Sequence, residues 1–284
     1  MRSPAVLALV LAAVSAASAQ EFPGVGDLLG QISGVRARTQ AQRTIPQAPQ
    51  LVRAMGTAGR FTTEAFEIAA VPNVSTYTVR GIDISHHQFT IDWPLVKTAG
   101  IAFAYIKATE GGDGVDEDFA ENWAGARDAG LARGAYHFYN FCKTASEQAA
   151  NFIKTVPADA DALPATIDLE ASADCPTMPA KAAFRKDLAG FVAKIRAVYG
   201  HAPILYVNYA VYDKYFKGEK DPYKFWIADT NHTAPAMPSW TMWQYGWHGQ
   251  VAGVPDEVDL DVFNGTAEEL AALSGPNGVM VAQP

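Results

Sequence analysis

The stretch Ala165-Thr166-Ile167-Asp168-Leu169-Glu170, the run 180–199 and the stretch Pro203-Ile204-Leu205-Tyr206-Val207 decide the fold of this chain. The outer two are short apolar runs of strand length. In the middle one apolar residues recur three and four apart, the period of a helix with one buried face. A strand, a helix and a strand in succession imply parallel pairing through a right-handed crossover. Working outward, strand-like runs also occupy 81–84, 101–106 and 134–139 upstream and 225–228, 241–245 and 258–263 downstream, eight runs in all. Upstream gaps carry further helical patterns at 119–129 and 146–155. The last three runs are separated by only about a dozen residues rich in Pro, Gly, Asn and Asp, too few for a crossover helix with its loops. The chain therefore reads as an α/β barrel with helices around its first part and plain strands, some of them antiparallel, closing it.

In such a barrel the working residues gather at the C-terminal ends of the strands. Those ends read Asp83, Glu110, Tyr136, Asp168 with Glu170, Tyr206, Trp226, Trp243 with Gln244, and Asp259 with Asp261. A single acid at a strand end is ordinarily solvated, but several from separate strands converge on one mouth. Asp168-Leu169-Glu170 is the sharpest of these signals. Alternation along a strand puts both carboxylates on one face and Leu169 on the other. Two acids so close cannot both ionise freely, and the one in the less polar setting keeps its proton. A protonated donor beside an anion is the division of labour that cleavage of a glycosidic bond needs. Tyr136, Tyr206, Trp226 and Trp243 suit the same substrate, because the C–H faces of sugars pack on flat rings that also carry a polar handle.

Composition bounds the rest. A chain of 284 residues with 49% apolar and 18% charged side chains has material for one sizeable core and is neither fibrous nor disordered. With 30 acidic against 22 basic residues, net −8, it is poorly suited to nucleic acid or to an anionic membrane surface. Residues 1–19 read as a secretory signal: Arg2, an apolar run over 5–13, and Ala17-Ser18-Ala19 before Gln20. Residues 20–78 contain no Lys, Trp, Cys or His and read as a pro-segment or linker. From Val79 onward there are 16 basic and 26 acidic residues, a net −10, so the acidity belongs to the barrel, expected over 79–264 with a tail at 265–284. In an exported protein the only two cysteines, Cys142 and Cys175, are expected to pair. Asn73, Asn231 and Asn264 begin glycosylation patterns. The expected product is a secreted monomer with no cofactor.

Six motifs carry a family likeness. Val79-Arg80-Gly81-Ile82-Asp83-Ile84-Ser85-His86-His87-Gln88, Tyr105-Ile106-Lys107-Ala108-Thr109-Glu110-Gly111, Gly134-Ala135-Tyr136-His137-Phe138, Ile167-Asp168-Leu169-Glu170, Trp243-Gln244-Tyr245 and Val258-Asp259-Leu260-Asp261 occur in that order. They resemble the strand-end motifs of glycoside hydrolase family 25, the N,O-diacetylmuramidase type of lysozyme. The resemblance implies a flattened barrel of eight strands and about five helices that hydrolyses the β-1,4 bond between N-acetylmuramic acid and N-acetylglucosamine in bacterial peptidoglycan. It implies Glu170 as general acid and Asp168 as the group that stabilises positive charge or orients the substrate's N-acetyl group. Asp83 and Asp259 would complete the acidic cluster, Glu110 would support it, and Tyr136, Tyr206, Trp226, Trp243 and Gln244 would line the sugar subsites. Two rivals fit less well. A metal-dependent hydrolase could draw on Asp83, His86, His137, Asp168, Glu170 and Asp259, but no compact metal-binding spacing is present. A chitinase-type barrel would need acids where Leu163 and Thr166 stand.

Overall fold

The structure is a computed structural model and describes residues 72–173 and 175–274. The expected signal segment, most of the pro-segment or linker and the end of the tail lie outside the described residues. Eight strands close a barrel: β1 (Arg80–Ile84), β2 (Phe103–Glu110), β4 (Ala132–Phe138), β5 (Thr166–Leu169), β6 (Ile204–Val207), β7 (Phe225–Ala228), β8 (Met242–Gly249) and β9 (Val258–Phe263). The two-residue β3 (Gly114–Val115) folds back on the end of β2 as an antiparallel hairpin. Pairing is parallel from β1 through β2, β4, β5, β6 and β7 to β8, and only β9 runs antiparallel, between β8 and β1. The closing segment thus contains one reversed strand. The β7–β8 connection crosses over in parallel through loop alone.

Among the described residues six helices accompany the barrel: α1 (Trp93–Thr98), α2 (Phe119–Asp128), α3 (Ala145–Thr155), α4 (Lys181–Tyr199), α5 (Tyr209–Tyr215) and α6 (Ala267–Ala271). The sequence reading missed α5, a short helix capped by the Asn208 side chain on the Val211 N–H. It also missed α6, whose Thr266 and Glu269 form a capping box just beyond the expected end of the barrel. Leu270 of α6 joins the interior cluster that holds Val79, Phe103 and Phe263. At the other boundary, residues before Val79 also pack on the barrel: Tyr77 meets the Trp240 and Trp243 rings edge-on at 5.3 and 6.0 Å.

Alternation along each strand divides the side chains into two cores. Outward residues such as Ile167, Leu169, Leu205, Val207 and Ile227 pack with helix residues Phe184, Leu188, Phe191 and Ile195. Inward residues Phe103, Tyr105, Ile204, Tyr206, Trp226 and Met242 fill the barrel. Space for these rings comes from two glycines paired with them in register. A Cβ on Gly81 would stand 2.2 Å from the Phe103 ring, and one on Gly134 would stand 2.2 Å from the Tyr105 ring. Both strand faces being buried explains why the runs read as nearly continuous apolar segments.

Cys142 and Cys175 form a disulfide, as expected, with a Cα–Cα distance of 5.7 Å. It ties the loop after β4 to the loop after β5, a closure worth roughly 3–4 kcal/mol in the chain-entropy view. One residue is visibly strained. Phe89, directly after the turn His86–Gln88, takes φ 57° and ψ −151°, a region that favours glycine, and it is 48% exposed. Phe89→Gly is expected to raise stability by about 1 kcal/mol, the relieved strain exceeding the entropy glycine adds to the unfolded chain. Thermal or denaturant melts would read it.

Candidate active site

The mouth of the barrel opens into a cleft of about 260 Å³. Strand direction explains who reaches it. The parallel strands deliver their C-terminal residues, Asp83 from β1, Lys107 from β2, Tyr136 and Phe138 from β4, Asp168 and Glu170 from β5, Tyr206 from β6 and Gln244 from β8. The reversed strand β9 delivers its N-terminal residue instead, so Asp259 stands directly opposite Asp83 in the antiparallel register. Asp168 and Glu170 share the cleft while Leu169 between them sits in the outer core. Trp226 and Tyr206 form the aromatic floor, their rings edge-on at 5.2 Å.

Two residues expected in the cleft lie elsewhere. Trp243 is fully buried on the outer side, packs against Trp240 and Tyr245, and donates its indole N–H to the Asp229 carbonyl at 2.7 Å. The reason is alternation: Met242 and Gln244 point inward, so Trp243 cannot. Glu110 is not part of the cleft wall. An irregularity in the β2–β4 register between Lys107 and Thr109 turns Thr109 outward onto His137, and Glu110 binds Lys107 at 2.7 Å at the edge of the mouth. Lys107 itself was quoted in a motif without a role. The signal was there, since Phe103, Tyr105 and Lys107 share one strand face and a lysine on an inward face has few reasons to exist. Among the described residues, no group of three His, Cys, Asp or Glu side chains is arranged to hold a metal ion.

The carboxylates do not titrate independently. Burial pushes Asp83 up to about 6, partly held down by hydrogen bonds with Gln244, Asp261 and Asp259. Burial, then the Asp83 and Glu170 charges, push Asp259 up to about 9. Asp168 is raised well above the carboxylate range, first by burial and then by the charges of Glu170 and Asp83, with Lys107 pulling the other way. Glu170 is raised by burial and by Asp83, again opposed by Lys107. One layer deeper, Asp261 accepts the Trp226 indole N–H at 2.9 Å, yet burial raises it well above its ordinary value. Oδ1 of Asp168 and Oδ2 of Asp261 are buried without a hydrogen-bond partner.

Each raised aspartate keeps a proton that the unfolded chain releases near 3.8. The stability this gives is present below that pH and is lost as pH rises through about 6 for Asp83 and about 9 for Asp259. Melts are therefore expected to show Tm falling from about pH 4 to about pH 9, and Asp259→Asn should flatten the slope.

Acids that share protons, set among aromatic side chains at the mouth of an α/β barrel, place the chain among glycoside hydrolases. The family is specific: the model of "Glycosyl hydrolases family 25" matches residues 82–254, and the chain belongs to that family. It is 38% identical over 206 residues to the "Uncharacterized protein YegX" of Escherichia coli K12, covering 70% of this chain and 74% of that one. It is 35% identical over 213 residues to "Lysozyme M1" of Streptomyces globisporus, covering 70% and 72%. Among solved structures, the bacterial lysozyme from Streptomyces coelicolor superposes with a TM-score of 0.67 at 34% identity, over 72% of this chain and all of that one.

Proposed function

We propose that the protein is a secreted lysozyme that hydrolyses the β-1,4 bond between N-acetylmuramic acid and N-acetylglucosamine in bacterial peptidoglycan. The observation that carries this reading is the juxtaposition of Asp168, at the end of β5, and Glu170, the first residue past it, inside a cleft with aromatic side chains, in a chain of this family. Lysozyme and muramidase names among the relatives support the substrate class.

Glu170 is the general acid. It is partly exposed at the cleft while Asp168 is buried, so it can reach the leaving oxygen. Asp168 stabilises the positive charge that develops on the sugar or on the substrate's N-acetyl group. Burial raises Asp168 strongly. Positive charge developing on the substrate beside it favours its ionised form, while Glu170 keeps the proton for the leaving oxygen. Asp83 and Asp259 complete the acidic cluster, Asp259 keeping its proton below about pH 9, and Tyr136, Tyr206 and Trp226 form sugar-facing walls.

Export is part of the proposal, supported by the signal-like first 19 residues and by the Cys142–Cys175 disulfide. No helix among the described residues is long and apolar enough to cross a membrane. Asn73 and Asn231 are exposed and available for a glycan, whereas the Asn264 amide is tied to the Trp240 carbonyl at 3.1 Å.

The experiment is digestion of purified peptidoglycan across pH with release of reducing ends as the readout. Glu170 must carry a proton, and raising pH through its titration removes it, so activity should peak on the acid side and fall at alkaline pH. An optimum above about pH 8 would overturn the acid assignment.

A further inference from the structure

Gln244 stands deep in the cleft, 2% exposed, and both atoms of its amide bond protein. Its Oε1 accepts the Tyr206 hydroxyl at 2.8 Å and the Trp247 indole N–H at 3.0 Å. The Trp247 indole can only donate, so it excludes the flipped amide, which would turn an NH₂ group toward that N–H. Nε2 therefore faces Asp83 and donates to its Oδ2 at 2.8 Å. Trp247 reaches this amide by a specific device. In an unbroken strand residues three apart face opposite sides. The β8–β9 register shifts between Gln244 and Gly246, and this irregularity lets the 51% exposed Trp247 turn its N–H back to Gln244.

We propose that Gln244 is a positioning residue for the reaction: locked by Tyr206 and Trp247, it holds Asp83 as the ionised, oriented member of the carboxylate cluster and is not a sugar contact. Its oxygen has no capacity left for a sugar hydroxyl. Asp83 meets Asp259 and Asp261 from β9, Asp168 and Glu170 from β5, Tyr136 from β4, Tyr206 from β6, Lys107 from β2 and His87 from the loop after β1. Asp168 and Glu170 are like charges that disfavour its ionised form, whereas Asp259 and Asp261, both on β9, favour it through hydrogen bonds. The neutral Gln244 N–H favours the charged form without adding a charge that would also pull the proton from Glu170. This inference rests on the lysozyme reading for its kinetic arm but not for its stability arm.

The test uses Gln244→Met, close in shape and without a donor, and Trp247→Phe, which removes one anchor of the amide. For Gln244→Met the acidic limb of the kcat/KM profile on peptidoglycan is expected to move up by about one pH unit, about a tenfold loss on that limb, with KM within about twofold. Trp247→Phe should move it the same way by less. In thermal melts without substrate, the Tm deficit of Gln244→Met relative to the parent should grow from about pH 4 to about pH 8, because the variant loses the bond only where Asp83 is ionised. A limb that stays put, a pH-independent Tm deficit and a loss confined to KM would overturn the proposal in favour of a sugar contact. Should Gln244→Met fail to fold, Trp247→Phe, at the surface, carries both measurements. A parent enzyme that releases no reducing ends would refute the lysozyme reading, while the melts would still decide the role of Gln244.

Discussion

Glu170→Gln is expected to lower turnover on purified peptidoglycan by about 10³-fold or more while leaving Tm and wall binding close to the parent's. The amide keeps the size and hydrogen-bonding reach of the acid but has no proton to give, so the leaving oxygen departs unprotonated. Glu170 lies just past the end of β5 and is partly exposed. Its raised titration, caused by burial and by Asp83, also weighs against folding at neutral pH, so the variant should not be less stable. Near-parental clearing of walls by this variant would remove Glu170 from the acid role.

Asp168→Asn should cost about 10²–10³-fold in kcat, the range for removing one electrostatic stabiliser of the transition state. Its stability effect should run the other way. Asp168 is 7% exposed, its Oδ1 is unpartnered, and Glu170 and Asp83 crowd it with like charge. A neutral amide of the same shape enters that site without having to take up a proton, so Tm at neutral pH should stay level or rise as activity falls. Equal losses of both would mean that Asp168 is chiefly structural.

Much of this was legible because barrel strands obey a period of two. Ile167 and Leu169 outward, Asp168 and Glu170 inward, follows from alternation alone, and the structure agrees. The same rule was available for Trp243 and Gln244, adjacent residues that cannot both face the cleft, and applying it there would have removed Trp243. Strand direction was harder. Asp259 reads in the sequence as a strand end but lies at the start of β9, reaching the mouth because β9 runs backwards. Register irregularities were not legible at all. The shift near Thr109 sends Glu110 to Lys107, and the shift after Gln244 recruits Trp247, because an extra residue in one strand leaves no compositional mark when the neighbours are Ala108 or Tyr245. Helix α5 was hidden by its seven-residue length, too short for a period to declare itself.

The central claim is that this cleft cuts the muramic acid side of the glycan strand. Mass spectrometry of purified peptidoglycan digested with the full-length protein, after reduction of the new ends, tests it most directly. Fragments ending in reduced N-acetylmuramic acid, absent with Glu170→Gln, are expected; fragments ending in reduced N-acetylglucosamine, or no new reducing ends, would exclude muramidase cleavage.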